Sequence, residues 1–210
     1  MKQNLNKKNL LIAVVLSLLL SFTLLYFSYN IGKENLFLLL NTDAGNAADI
    51  FFAAFTYAGD GIMWVPVLLI IIFLLKRKDA LVLLISSFIF STIFTQGVKN
   101  FIFPDLPRPI KAIKATDLIH TVKGVDVHTI GSFPSGHSAT AFTIYLLFCL
   151  LLPKRWWIII GFFYASLVGY SRVYLAQHFP LDVAGGIIAA ILSAWFSMLL
   201  QQYWWKKKRV

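Results

Sequence analysis

Between Leu10 and Tyr29 the chain runs for twenty residues without a charged side chain, and similar apolar stretches recur along its 210 residues. A helix needs about 20 such residues to cross the roughly 30 Å hydrocarbon layer of a bilayer. Lipid cannot hydrogen-bond an exposed backbone, so these stretches must be helical. Only 13% of residues are charged and 59% are hydrophobic, with mean hydropathy +0.75, whereas soluble domains carry about 25% charge. The pattern predicts an all-α polytopic membrane protein, one domain over residues 1–210. Six spans parse it most economically, at about 10–29, 61–75, 79–98, 136–152, 156–174 and 182–203. The second is short, and residues 46–60 read as an interfacial or partly inserted helix ahead of it.

The basic start resembles a secretory signal, but the apolar run exceeds the roughly 7–15 residues of a signal core and no A-x-A site follows. It is read as an uncleaved first span. The single cysteine, Cys149, lies in an apolar run, which rules out an intrachain disulfide and suits a small buried hydrophobe. No internal repeat, low-complexity tract or soluble linker interrupts the pattern.

Charge sets the orientation. Connections 1–9, 76–79, 153–155 and 204–210 hold twelve of the nineteen Lys and Arg residues. The opposite side holds Lys33, Lys99, Arg108, Lys111, Lys114, Lys123 and Arg172, together with eight of the nine carboxylates. The positive-inside rule makes the first side cytoplasmic, with both termini on it. The net charge of +10 then reflects orientation and attraction to anionic headgroups. A nucleic-acid partner would require a basic aqueous face with aromatics, and none is present. The opposite face carries connections 30–60, 99–135 and 175–181, the second far beyond the roughly 12–15 residues above which a loop is usually functional or disordered.

Unusual polar residues gather there. Lys99 ends the third span, "PRP" follows at 107–109, "SFPSGHSAT" at 132–140 opens the fourth, and "SRVYLAQHFPLD" at 171–182 joins the fifth to the sixth. Ionisable residues at such depth are costly and functional by default. Lys99, Arg108 and Arg172 supply cations, and arginine forks onto phosphate oxygens. Ser135 suits an N-cap, and Gly136 leaves first-turn N–H groups open to an anion. His137 and His178 provide the two groups that metal-free phosphate-ester cleavage requires, one attacking phosphorus and one protonating the departing oxygen. Asp182 lies one helical turn beyond His178, with Pro180 suited to the first turn of the helix that carries it. There it can fix the imidazole tautomer. That asymmetry makes His178 the nucleophile and His137 the acid. A metal site is not expected, because the surrounding cations would repel a dication and no H-E-x-x-H motif or carboxylate cluster is present.

"KNFIFPDLPRP", "PSGH" and "SRVYLAQHFPLD" resemble the three signature motifs of the type 2 phosphatidic acid phosphatase (PAP2) family, K-x6-RP, PSGH and SR-x5-H-x3-D. The second and third match residue for residue. The first departs: eight residues separate Lys99 from Arg108, and Phe101 stands where lysine is expected. An insertion around Pro104 to Pro107 would keep Lys99 in place, with Lys111 and Lys114 as alternatives. The resemblance implies a six-helix, metal-independent membrane hydrolase that works through a phosphohistidine without a cofactor. It assigns His178, His137 and Asp182 to catalysis, and Lys99, Arg108, Ser135, Gly136 and Arg172 to the phosphate.

The expected function is removal of phosphate from an amphiphile at the non-cytoplasmic face of a bacterial cell membrane. Candidate substrates are undecaprenyl pyrophosphate, phosphatidylglycerol phosphate, phosphatidic acid and lipid A phosphates. A phosphotransferase using the same site, or a phospholipid or anion transporter, are the alternatives. His120 and His128 read as ordinary loop histidines. Phe51, Phe52, Phe55 and Tyr57 read as interfacial aromatics.

Overall fold

The computed structural model describes residues 5–207, and among them the chain is helical apart from its loops and one isolated bridge between Pro107 and Ile130. In chain order the helices are α1 (Lys7–Asn30), α2 (Lys33–Leu40), α3 (Asn46–Phe55), α4 (Trp64–Leu69), α5 (Leu81–Gly97), α6 (Pro109–Ala112), α7 (Gly136–Leu151), α8 (Trp156–Tyr174) and α9 (Pro180–Lys207). Lys2, Lys208 and Arg209, which contribute to the charge asymmetry, lie outside the described residues.

Four helical segments are long and apolar enough to cross a membrane: Lys7–Asn30, Lys78–Ile102, Trp156–Tyr174 and Pro180–Lys207. The expected second span and the helix before it form a bent pair, Asn46–Gly59 and Gly61–Leu74, which meet at 59° and would supply a fifth. The break falls at Gly59-Asp60-Gly61, where Asp60 Oδ1 accepts the Ile62 N–H at 3.0 Å and restarts the helix. The expected fourth span is α7, whose 16 residues reach only about 24 Å at 1.5 Å per residue.

α7 is the centre of the bundle. Phe142, Leu146, Leu147 and Leu150 are fully buried on it, packed by α1, α5, α8 and α9. Large side chains such as Phe22, Phe73, Ile159 and Phe163 point outward and remain exposed, as lipid-facing residues should. Two hydroxyls buried inside the bundle are satisfied by bonding back one turn, Ser17 to the Ala13 carbonyl (2.8 Å) and Thr143 to that of Ala139 (2.7 Å). At the α7–α9 crossing, a Cβ built on Gly186 would lie 2.5 Å from the Ser135 carbonyl oxygen. Only glycine lets these backbones come so close.

The four basic connections meet at one end. Asn9 Nδ2 donates to the carbonyls of Leu152 and Pro153 (3.4 Å each), and Arg77 Nη1 to that of Leu151 (3.3 Å). Gln201 donates to the Asp79 carbonyl (3.1 Å) and accepts the Leu83 N–H (2.7 Å), which at the start of α5 has no partner within its helix. The long 99–135 connection holds α6 and a single turn at Thr116–Leu118, with no membrane-crossing element.

Candidate active site

At the opposite end, α9 starts at Pro180, whose missing N–H costs nothing in a first turn. Asp182, two residues on, reaches back so that Oδ2 accepts the Phe179 N–H at 2.9 Å, one half of a capping box. The same oxygen accepts the Ser132 hydroxyl at 2.5 Å and lies 3.4 Å from His178 Nδ1. The Asp182 carbonyl accepts the Ser135 N–H at 2.9 Å, so the "PSGH" and "SRVYLAQHFPLD" stretches are joined through one residue. Ser135 caps α7 as expected, its hydroxyl accepting the Ser138 N–H at 3.3 Å. Nothing lies within 4 Å of where a Gly136 Cβ would stand, so the backbone at Gly136 borders open space.

Arg108 arrives on a short antiparallel pairing. Its N–H donates to the Thr129 carbonyl at 2.9 Å, and the Ser132 N–H to that of Leu106 at 3.1 Å. The guanidinium is then held by three acceptors: the Ile130 carbonyl (2.9 Å), the Gln177 carbonyl (3.1 Å) and Gln177 Oε1 (2.9 Å). Arg172, at the last turn of α8, donates Nη1 to Thr56 Oγ1 at 2.5 Å, while its buried Nε has no protein partner. Arg108 and Arg172 are 8% and 7% exposed.

Lys99 sits on a π-helical turn, Val98–Ile102, that extends α5. A π turn takes up more residues than an α turn, and the Phe103–Pro107 stretch adds further length, which absorbs the wide Lys99-to-Arg108 spacing. The lysine stem crosses Gly131, where a Cβ would stand 3.3 Å from Cδ. Its charge is felt at His178 and feels Arg108, Asp182 and Arg172. Lys111 and Lys114 are exposed, and Phe101 is 88% exposed.

His137 occupies the first turn of α7, with Nε2 3.8 Å from Asp60 Oδ2. It lines a polar cavity of about 420 Å³ with Arg172, Gln177, Thr56, Asp126 and His128. His178 is 2% exposed and is not itself part of that lining, although its neighbour Gln177 is. Burial, reinforced by the charges of Arg108, Arg172 and Lys99, holds its proton affinity well below that of an ordinary imidazole.

All eight expected site residues therefore lie at one end of the bundle. Ser132, Gln177, Thr56 and Asp60 were not expected. Ser132 and Gln177 lie inside the quoted stretches, yet their residue types carry no signal there. Phe52 packs on Tyr170 and Tyr174. His120 is likewise engaged, with Nε2 3.0 Å from Asp49 Oδ1. With Asp43 these two bring ligand-type atoms within 4.8 Å of one another. The Tyr174 hydroxyl already donates to the same Asp49 oxygen at 2.6 Å.

A model of the PAP2 superfamily matches residues 80–206. The chain belongs to the PAP2 superfamily. Among PAP2 relatives, an undecaprenyl-diphosphatase of Sulfolobus acidocaldarius is 33% identical over 174 residues, covering 82% of this chain and 79% of its own. A lipid A 4'-phosphatase of Bacteroides thetaiotaomicron is 30% identical over 156 residues, covering 70% and 67%. The crystal structure of Aquifex aeolicus LpxE aligns with a TM-score of 0.66 at 33% identity, over 78% of this chain and 93% of that one. This PAP2 chain is a multi-pass membrane phosphatase. The PAP2 match contains all eight expected residues and begins after Thr56 and Asp60.

Proposed function

We propose that this PAP2 protein removes a terminal phosphate from a lipid phosphate at the non-cytoplasmic membrane face, through a phosphohistidine and without a metal. One observation carries the reading. Arg108, Arg172 and Lys99 converge beside a His–Asp pair, and among the described residues none of the three lies within 4.0 Å of a carboxylate oxygen. Burying unpaired cations is costly, and a bound phosphate offsets that cost. The same cations repel a dication.

In this mechanism Asp182 faces Nδ1, which leaves Nε2 of His178 to attack phosphorus. The P–N bond forms as the bond to the leaving oxygen breaks, and that oxygen takes the His137 proton. Water then attacks the phosphohistidine, giving a proton to His137, and the P–N electron pair returns to His178. Arg108, Arg172, Lys99, Ser135 and the amides at Gly136 hold the phosphoryl oxygens. Residues 5–207 cross the membrane six times in this reading, with the basic end cytoplasmic. The substrate resembles those named for the relatives, undecaprenyl diphosphate or a lipid A phosphate, with phosphatidic acid and phosphatidylglycerol phosphate as further candidates.

Purified protein should release phosphate from some of these lipids with or without chelator, and His178→Ala should abolish release while leaving the protein folded. Full activity in His178→Ala, or a strict need for added divalent metal, would overturn the mechanism.

A further inference from the structure

The Thr56–Asp60 segment approaches the site from outside all three motif stretches. Its docking leaves no slack. A Cβ on Gly59 would stand 2.4 Å from Val168 Cγ1 and 3.0 Å from the His137 carbonyl oxygen, and the Tyr164 hydroxyl donates to the Ala58 carbonyl at 2.6 Å. Thr56 anchors Arg172. Asp60 follows, with Oδ1 tied to the Ile62 N–H and Oδ2 3.8 Å from His137 Nε2.

Resting on the assignment of His137 as the acid, we propose that Asp60 is its positioning carboxylate, held at the bend so that its charge favours the protonated imidazole between turnovers. The distance is too long for a hydrogen bond, so Asp60 acts through its charge. The groups whose charge reaches His137 are Arg172 on α8, His178 in the α8–α9 connection, Arg108 before α6, and Asp60. Asp60 is the anion among them. Asp126 and His128 line the cavity from the outer loop. Arg172 and Arg108 carry the charge that opposes a protonated imidazole, and Asp60 carries the charge that favours one. Asp60 thus does for His137 by charge what Asp182 does for His178 by contact, and the two histidines have carboxylates from different elements.

Asparagine separates charge from structure, because its carbonyl can still accept the Ile62 N–H. In a pH profile of phosphate release, Asp60→Asn should move the alkaline limb, set by loss of the His137 proton, to lower pH by roughly 0.5–1 unit. The acidic limb should stay in place. Asp60→Ala should show the same displacement, and Asp60→Glu should largely reverse it. An Asp60→Asn profile unmoved along the pH axis, at full or uniformly reduced rate, would overturn the proposal and leave Asp60 a helix cap. His178→Ala, measured alongside, tests the mechanism independently. If it abolishes release while Asp60→Asn leaves the limb in place, only the role of Asp60 falls.

Discussion

The Ser132 hydroxyl donates to Asp182 Oδ2 at 2.5 Å, the oxygen that also faces His178 Nδ1. A hydrogen bond to a charged acceptor contributes about 1.5–3 kcal/mol, and this one fixes the carboxylate that orients the proposed nucleophile. Ser132→Ala should lower kcat by about tenfold or more at nearly unchanged KM, because Ser132 touches Asp182 and not the phosphate. Steady-state kinetics on a lipid phosphate check this. A change confined to KM would place Ser132 against the substrate instead.

Activity should persist into acid. The proposed attack requires neutral His178, and both burial and the three neighbouring cations oppose its protonation. As pH falls, a proton must be forced onto the ring, so the acidic limb of kcat/KM should lie well below the ordinary imidazole value of about 6.5. A limb at or above that value would show His178 to be solvated in the working enzyme.

Lys99→Ala should reduce phosphate release more than Lys111→Ala or Lys114→Ala, by an order of magnitude or more. Lys99 lies across Gly131 within reach of Arg108 and Arg172, while the other two are exposed. Parallel assays of the three variants decide it, and the reverse order would relocate the first motif.

Gly186→Ala should destabilise the fold by about 1–3 kcal/mol and lower activity with it. The new methyl would meet the Ser135 carbonyl at 2.5 Å and Ser138 Cβ at 2.9 Å, so α9 must retreat from the PSGH turn. Thermal unfolding in detergent measures the loss.

The sequence was most informative where chemistry is expensive. Arg172, His178 and Asp182 stand out because ionisable side chains rarely sit beside membrane spans without a role, and Pro180 marks the start of α9. Ser132 and Gln177 were opaque, since a serine or glutamine between helices is ordinary until its partner is known. Thr56 and Asp60 were hidden for another reason. Their contribution depends on the 59° bend, and Gly59-Asp60-Gly61 signals a break without giving its angle. The extra residues between Lys99 and Arg108 could be counted from the sequence, but their accommodation in a π turn depends on packing at the end of α5.

The close approach at Gly186 also limits how a lipid can enter. α7 and α9 touch backbone to backbone, and the Asp182 carbonyl accepts the Ser135 N–H, so the start of α7, which bears His137, is tied to the start of α9, which bears Asp182. A seam of that kind cannot part without drawing His137 away from Asp182 and from the His178 ring that Asp182 faces. A lipid phosphate bound at the proposed site is expected to enter between other helices of the bundle.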